Sequence, residues 1–250
     1  MYLARVSPTR EVHETDGVTW LAQAALPASH AIVTSLPDHS EFRIEATTTP
    51  AQGPQPGFAG PGCHPRELAS ANKIDLWREW FVDTAALACR QVADDSVVVF
   101  YQTDVKHEGR WIDKGFLVSL GAERAGSALL WHKIVCRVPA GMTSFGRPAY
   151  AHVLCFSRHL RLLPAQSSPD VLPRLGEMTW ARAMGLEACD AIAAFVLAHT
   201  ACRTIVDPFC GVGTMLAVAN AHGLDAVGVE LSRRRARRAR ELRVPARSGT

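Results

Sequence analysis

Asp207-Pro208-Phe209-Cys210-Gly211-Val212-Gly213-Thr214 decides the fold. The apolar run Thr204–Val206 enters this stretch and reads as a buried strand. Met215–Ala221 leaves it with helical spacing, and a second apolar run, Ala226–Val229, closes on Glu230. A strand, a glycine turn, a helix and a strand ending in an acid make a βαβ unit of the kind that binds nucleotides. Gly211 and Gly213 let the backbone turn tightly and let a ligand approach closely. An acid at the end of the second strand is placed to hold ribose hydroxyls.

The spacing departs from the dinucleotide fingerprint, because Leu216 stands where a third glycine is needed. The eight-residue string instead resembles motif I of the S-adenosylmethionine-dependent amino-methyltransferases of DNA and some RNAs, usually D-P-F-x-G-x-G-T. That resemblance implies a Rossmann-like class I methyltransferase fold, α/β, with a mostly parallel seven-stranded sheet and helices on both faces. It implies S-adenosyl-L-methionine as cofactor, with Asp207, Pro208, Phe209, Cys210, Gly211, Gly213 and Thr214 as the binding loop. Asp207, Phe209, Gly211 and Gly213 are expected along the methionine half, and Glu230 on the ribose. The segment ahead of the first strand is also expected to touch the cofactor, through Met184 and Gly185 or through Thr179 and Trp180.

Only twenty residues follow Glu230, too few for the remaining strands, so the other half must come from the front of the chain. Asp16-Gly17, after a short strand at His13–Thr15, resembles motif III, in which an Asp contacts the adenine amino group. Ala31–Asp38, with Ser35-Leu36-Pro37-Asp38 at its end, resembles motif IV, the catalytic strand end. The implied order is a circular permutation within one domain spanning 1–250. Its catalytic half is about 1–160, its cofactor half about 175–242, and loops fall at 47–65 and 165–173. Leu130–Val135 and His152–Ser157 resemble the sixth and seventh strands of the same family.

In that family the catalytic motif is D/N/S-P-P-Y/F. Its first side chain and a backbone carbonyl orient the exocyclic amine, and its aromatic residue stacks on the base. Here Ser35 and Pro37 fit, Leu36 replaces a proline and Asp38 replaces the aromatic. The motif is also similar to the N-L-P of enzymes that methylate a guanine ring nitrogen in transfer RNA. There a carboxylate serves as general base, a role open to Asp38 or Glu41. Phe58 is a candidate stacking platform, and His39 a candidate base. Trp111 either faces a substrate or merely packs on a hairpin turn.

Elsewhere, helices are expected at Gly17–Leu26, Ser70–Val92, Phe116–Ala122 and Ala183–His199, and strands at His30–Thr34 and Ser96–Gln102. Ala128–Arg137 and Ala149–Ser157 read as an antiparallel corner, and His107–Lys114 as a charged connection. A 48% hydrophobic composition over 250 residues suffices for one well-buried domain. No apolar run approaches the roughly 20 residues of a membrane span, and Met1–Arg10 lacks a signal-peptide core, so a cytoplasmic protein with no membrane partner is expected. The seven cysteines form no C-x-x-C pair, so no metal site is expected. The net charge is +3, and the arginines crowd residues 233–243, as either a phosphate-binding stripe or a solvated helix face.

The leading expectation is methyl transfer to a base nitrogen of a nucleic acid. RNA is favoured over DNA, because no base-reading insertion of 80 or more residues is visible. A small-molecule or protein methyltransferase, and a non-catalytic binding subunit of the same fold, are the alternatives.

Overall fold

The computed structural model describes residues 7–42 and 65–245, without the side chains of 65–72. Residues 47–64 of the expected loop, Phe58 among them, lie outside the described residues. The strands are β1 (Arg10–His13), β2 (His30–Thr34), β3 (Val98–Gln102), β4 (Val105–His107), β5 (Arg110–Ile112), β6 (Ala128–Cys136), β7 (Tyr150–Ser157), β8 (Val171–Leu172), β9 (Thr204–Asp207) and β10 (Asp225–Val229). The helices are α1 (Gly17–Gln23), α2 (Pro65–Gln91), α3 (Lys114–Arg124), α4 (Leu186–His199), α5 (Thr214–Ala221) and α6 (Arg233–Glu241).

One eight-stranded sheet runs β1-β10-β9-β2-β3-β7-β6-β8. The five strands from β1 to β3 are mutually parallel. β7 runs antiparallel to both β3 and β6, which is the expected corner. The central strands are continuous apolar runs because helices cover both faces. Val33, Val99 and Ile205 pack into one core with α4 and α5, and Ile32, Val98, Phe100 and Val206 into the other with α2 and α3. Trp77 and Phe81, both fully buried on α2, anchor the second core; burying each such side chain stabilises by roughly 1.5–3 kcal/mol.

The sheet has eight strands where seven were expected. The extra strand, β8, falls inside the expected loop 165–173 and pairs parallel with β6 through Ile134–Val171 and Val135–Leu172. It is pegged there by the N–H of Ile134, which donates to the Asp170 carbonyl at 2.8 Å. Lys133 Nζ donates to the carbonyls of Ser168 and Pro169, at 3.1 and 2.7 Å. The charged connection His107–Lys114 is also more ordered than expected. It folds into the β4–β5 hairpin, whose turn residues Glu108 and Gly109 have φ of 48° and 77°. Asp113 then caps α3 by accepting from the N–H of Phe116 at 2.8 Å, so the helix starts at Lys114, before Phe116. β1 sits earlier than expected because Arg10–His13 pairs with Ala226–Val229. Among the described residues, no helix is long and apolar enough to cross a membrane.

Candidate active site

The C-terminal ends of the parallel strands open into one cleft of about 1290 Å³, the expected place for a ligand in an open α/β sheet. Of the residues singled out in the sequence, Asp16, Ser35, Leu36, Pro37, Asp38, Asp207, Pro208, Phe209, Cys210, Gly211, Thr214 and Glu230 line it. Residues from both ends of the chain therefore meet in one place.

Gly213 is shaped by its neighbours in the fold. Its φ of 82° starts α5, and a Cβ there would lie 2.8 Å from Ala239 of α6, so this glycine serves helix packing. Gly211 does face the cleft side. Its φ is 57°, and a Cβ would stand 3.3 Å from the Trp180 ring. Trp180 and Met184 both line the cleft, and Thr179 Oγ1 lies 2.5 Å from Thr214 Oγ1. Gly185 instead packs beneath Leu175, where a Cβ would meet the Leu175 carbonyl at 1.9 Å.

Asp207 ends β9, and its carboxylate accepts from Thr34 Oγ1 at 2.6 Å and from the N–H of Phe209 at 3.1 Å. Burial pushes this carboxyl up to about 7, against the two hydrogen bonds that hold it down. Glu230 ends β10. Its Oε1 accepts from the N–H of Ser232 at 2.7 Å and from Arg235 Nε at 2.9 Å; none of these bonds falls on Oε2. Arg235 also faces Glu41 at 3.5 Å, and Arg182 pairs with Glu41 at 2.6 Å. Asp16 caps α1 by accepting from the N–H of Thr19 at 2.7 Å. The next residue must be glycine, because a Cβ on Gly17 would lie 2.2 Å from the Pro208 carbonyl. Cys210 turns its thiol toward Gly228 of β10, and burial raises its pKa well above the ordinary thiol value.

The strand end after β2 holds features that the sequence did not disclose. Asp38 Oδ1 accepts from Lys114 Nζ at 2.7 Å, and Arg147 stands 3.8 Å from Oδ2. Lys114 is buried and also reaches the Leu36 carbonyl at 3.4 Å. Burial lowers its pKa, and Asp38 opposes that shift. Leu36 buries its side chain in the α2 core and offers the site only its backbone. The Pro37 carbonyl is taken by Trp77 Nε1 at 3.2 Å. Phe42 and Trp80 line the cleft, with Trp80 edge-on to both Phe81 and Phe209. The signal for Trp80 was its place on the apolar face of α2; nothing marked Lys114, which lies 76 residues from Asp38.

His39 is set against His107 and Trp77, and burial lowers its pKa. Among the described residues, Asp104, Asp113 and His152 bring potential metal ligands within 4.8 Å of one another. Each is already engaged: Asp104 accepts from the Lys114 N–H and faces His152 Nε2 at 3.2 Å, and Asp113 caps α3.

No protein-family model matches the sequence, and no curated protein matches it significantly. Solved structures do match. One is a protein of Thermus thermophilus assigned as a DNA modification methylase, in complex with S-adenosyl-L-methionine. It is 16% identical, with a TM-score of 0.64 over 93% of this chain and 92% of that one. The fold is that of a methyltransferase. The cytosine-N4-specific PvuII DNA methyltransferase matches with a TM-score of 0.64 at 12% identity, over 93% of this chain and 86% of that one. M1.HpyAVI bound to S-adenosyl-L-methionine matches at 0.55 and 12% identity, over 93% and 98%.

Proposed function

We propose that the chain is an S-adenosylmethionine-dependent N-methyltransferase acting on a nucleic-acid base, with DNA as the first acceptor to consider. The carrying observation is that Asp16, the Ser35–Asp38 turn, the 207–214 loop and Glu230 converge on one cleft from opposite ends of the chain. The proposed circular permutation within a single domain is supported by the sheet order, in which the first strand, β1, lies beside the last, β10. The expectation of RNA over DNA rested on the lack of a recognition insertion. DNA methylases that this chain matches over 86–92% of their own length weaken that argument.

The residues fit the cofactor. Gly211 leaves room beside Trp180, and Glu230 keeps Oε2 free of the bonds made by Oε1. Asp207, Phe209 and Gly211 would hold the methionine end, Glu230 the ribose hydroxyls and Asp16 the adenine amine. When bound, the cofactor supplies an electrophilic methyl group, so the protein's task is positioning. Ser35 Oγ and the Leu36 carbonyl would accept hydrogen bonds from the acceptor nitrogen and so orient its lone pair for transfer. Asp38, held by Lys114, stands ready to accept the proton that the methylated nitrogen must shed. A small-molecule or protein acceptor is the second reading, favoured because a charged pair stands where the family has a stacking aromatic.

Titration calorimetry with S-adenosylmethionine and its demethylated product tests the cofactor site, followed by tritiated methyl transfer onto DNA and RNA. Ser35→Ala combined with Asp38→Ala should spare cofactor binding and stop transfer. Transfer that survives the double change defeats the catalytic assignment. Binding without transfer to any nucleic acid brings the small-molecule, protein or non-catalytic readings forward.

A further inference from the structure

Two large side chains stand in solvent, Trp111 at 48% exposure and Phe145 at 92%. They belong to two neighbouring projections that both lead to Asp38. The β4–β5 hairpin carries Trp111, and three residues later Lys114 holds Asp38 at 2.7 Å. The connection from β6 to β7, residues 137–149, carries Phe145, and two residues later Arg147 stands 3.8 Å from the same carboxylate. The projections are joined at their bases: a Cβ on Gly115 of α3 would lie 3.2 Å from the His152 ring, and Tyr150 meets that ring edge-on at 5.3 Å.

The cations are placed among these aromatics. Lys106 Nζ lies 5.4 Å above the Trp111 ring, Arg110 is exposed on the same hairpin, and Arg137 and Arg147 line the cleft. Exposed aromatic rings interleaved with cations suit a strand whose bases stack and whose backbone is anionic. A duplex hides its base faces, and a second protein copy would have no need of cations grouped at the catalytic turn.

We propose that the β4–β5 hairpin and the 137–149 connection form a stacking rim that seats an unpaired stretch of DNA, with Trp111 and Phe145 as its platforms. The rim rests on the nucleic-acid reading above. It leads the strand to Asp38, so that the bases flanking the target are held by stacking and not read by their edges.

Fluorescence anisotropy with a labelled single-stranded DNA, its duplex and the RNA of the same sequence tests this, on the full chain with and without Trp111→Ala plus Phe145→Ala. Both side chains are exposed, so the variant should fold, and its melting curve and S-adenosylmethionine affinity should match the parent. The expected result is preference for the single-stranded DNA, weakened at least tenfold in the variant. Quenching of tryptophan emission by the oligonucleotide should also shrink in Trp111→Phe. Unchanged DNA affinity in the variant overturns the rim while leaving the methyltransferase reading intact. Preference for duplex or for RNA overturns the proposed occupant. A parent that light scattering shows to be dimeric, with a monomeric variant, assigns the surface to self-association instead. A parent that binds S-adenosylmethionine but no nucleic acid removes the acceptor reading and the rim together.

Discussion

Asp207 shows how much one buried carboxyl can control. Its burial raises the pKa to about 7 from an ordinary 3.8, so the folded chain keeps a proton that the unfolded chain has lost between those values. The stabilising contribution is full below about pH 4 and is lost as the pH rises through about 7. Denaturant melts of the parent at pH 5 and pH 7.5 should show that loss, and Asp207→Asn should flatten it. A cationic ligand placed against this carboxyl favours its ionised form. Cofactor binding near pH 6.5 should therefore release a proton, visible as a binding heat that changes with the ionisation enthalpy of the buffer. A heat independent of buffer would place the cation elsewhere. The eight-residue loop was legible because strand, turn and helix each leave a local mark. The packing duty of Gly213 was not legible, because it is set by Ala239, on a helix that the loop sequence says nothing about.

At the scale of elements, α3 is the part that turns a strand end into a charged site. It begins at Lys114, and that first residue reaches back to Asp38 and the Leu36 carbonyl. Removing the amine leaves a carboxylate, only 22% exposed, with Arg147 as its remaining ion-pair partner among the described residues. Lys114→Met should cost about 3 kcal/mol of stability and lower turnover more than tenfold, with unchanged affinity for S-adenosylmethionine. Lys114→Arg should restore part of the turnover. Equal losses in both variants would show that α3 packing matters and the pair does not. β2, β9 and the β6–β7 corner could be read from apolar runs of the right length. β4, β5 and β8 could not, since two or three residues carry no period. Those three are held by a turn, a cap and the reach of Lys133 from the neighbouring strand.

For the molecule as a whole, the two ends of the described chain brace one another. Arg10 of β1 donates to Asn220 Oδ1 at 2.7 Å and to the carbonyls of Ala239 and Leu242 at 2.9 and 2.6 Å. Arg240 of α6 returns the contact through Glu14 and the Val12 carbonyl, both at 2.7 Å. The arginine cluster is thus divided: Arg235 turns into the cleft and Arg240 ties the ends together. Arg233, Arg234, Arg237 and Arg238 stay exposed. Arg10→Ala removes three charge-assisted bonds and should cost about 2–3 kcal/mol, read as a lower melting temperature. It should also weaken cofactor binding, because Glu230 directly follows β10, which pairs with β1. An unchanged melting temperature would make the brace ornamental.

The sheet order also sets a schedule for synthesis. β9, which belongs between β2 and β10, begins at Thr204, 170 residues after β2 ends at Thr34. A ribosome needs roughly 10–30 s to make that much chain. Throughout that interval the side of β2 that pairs with β9, along His30–Ile32, has no partner. An unpaired parallel edge in a nascent chain invites joining to another chain. Crowded polysomes should therefore be where this protein is lost to aggregation, and yield in cells should depend on the speed of translation and on chaperones that cover the gap until β9 arrives.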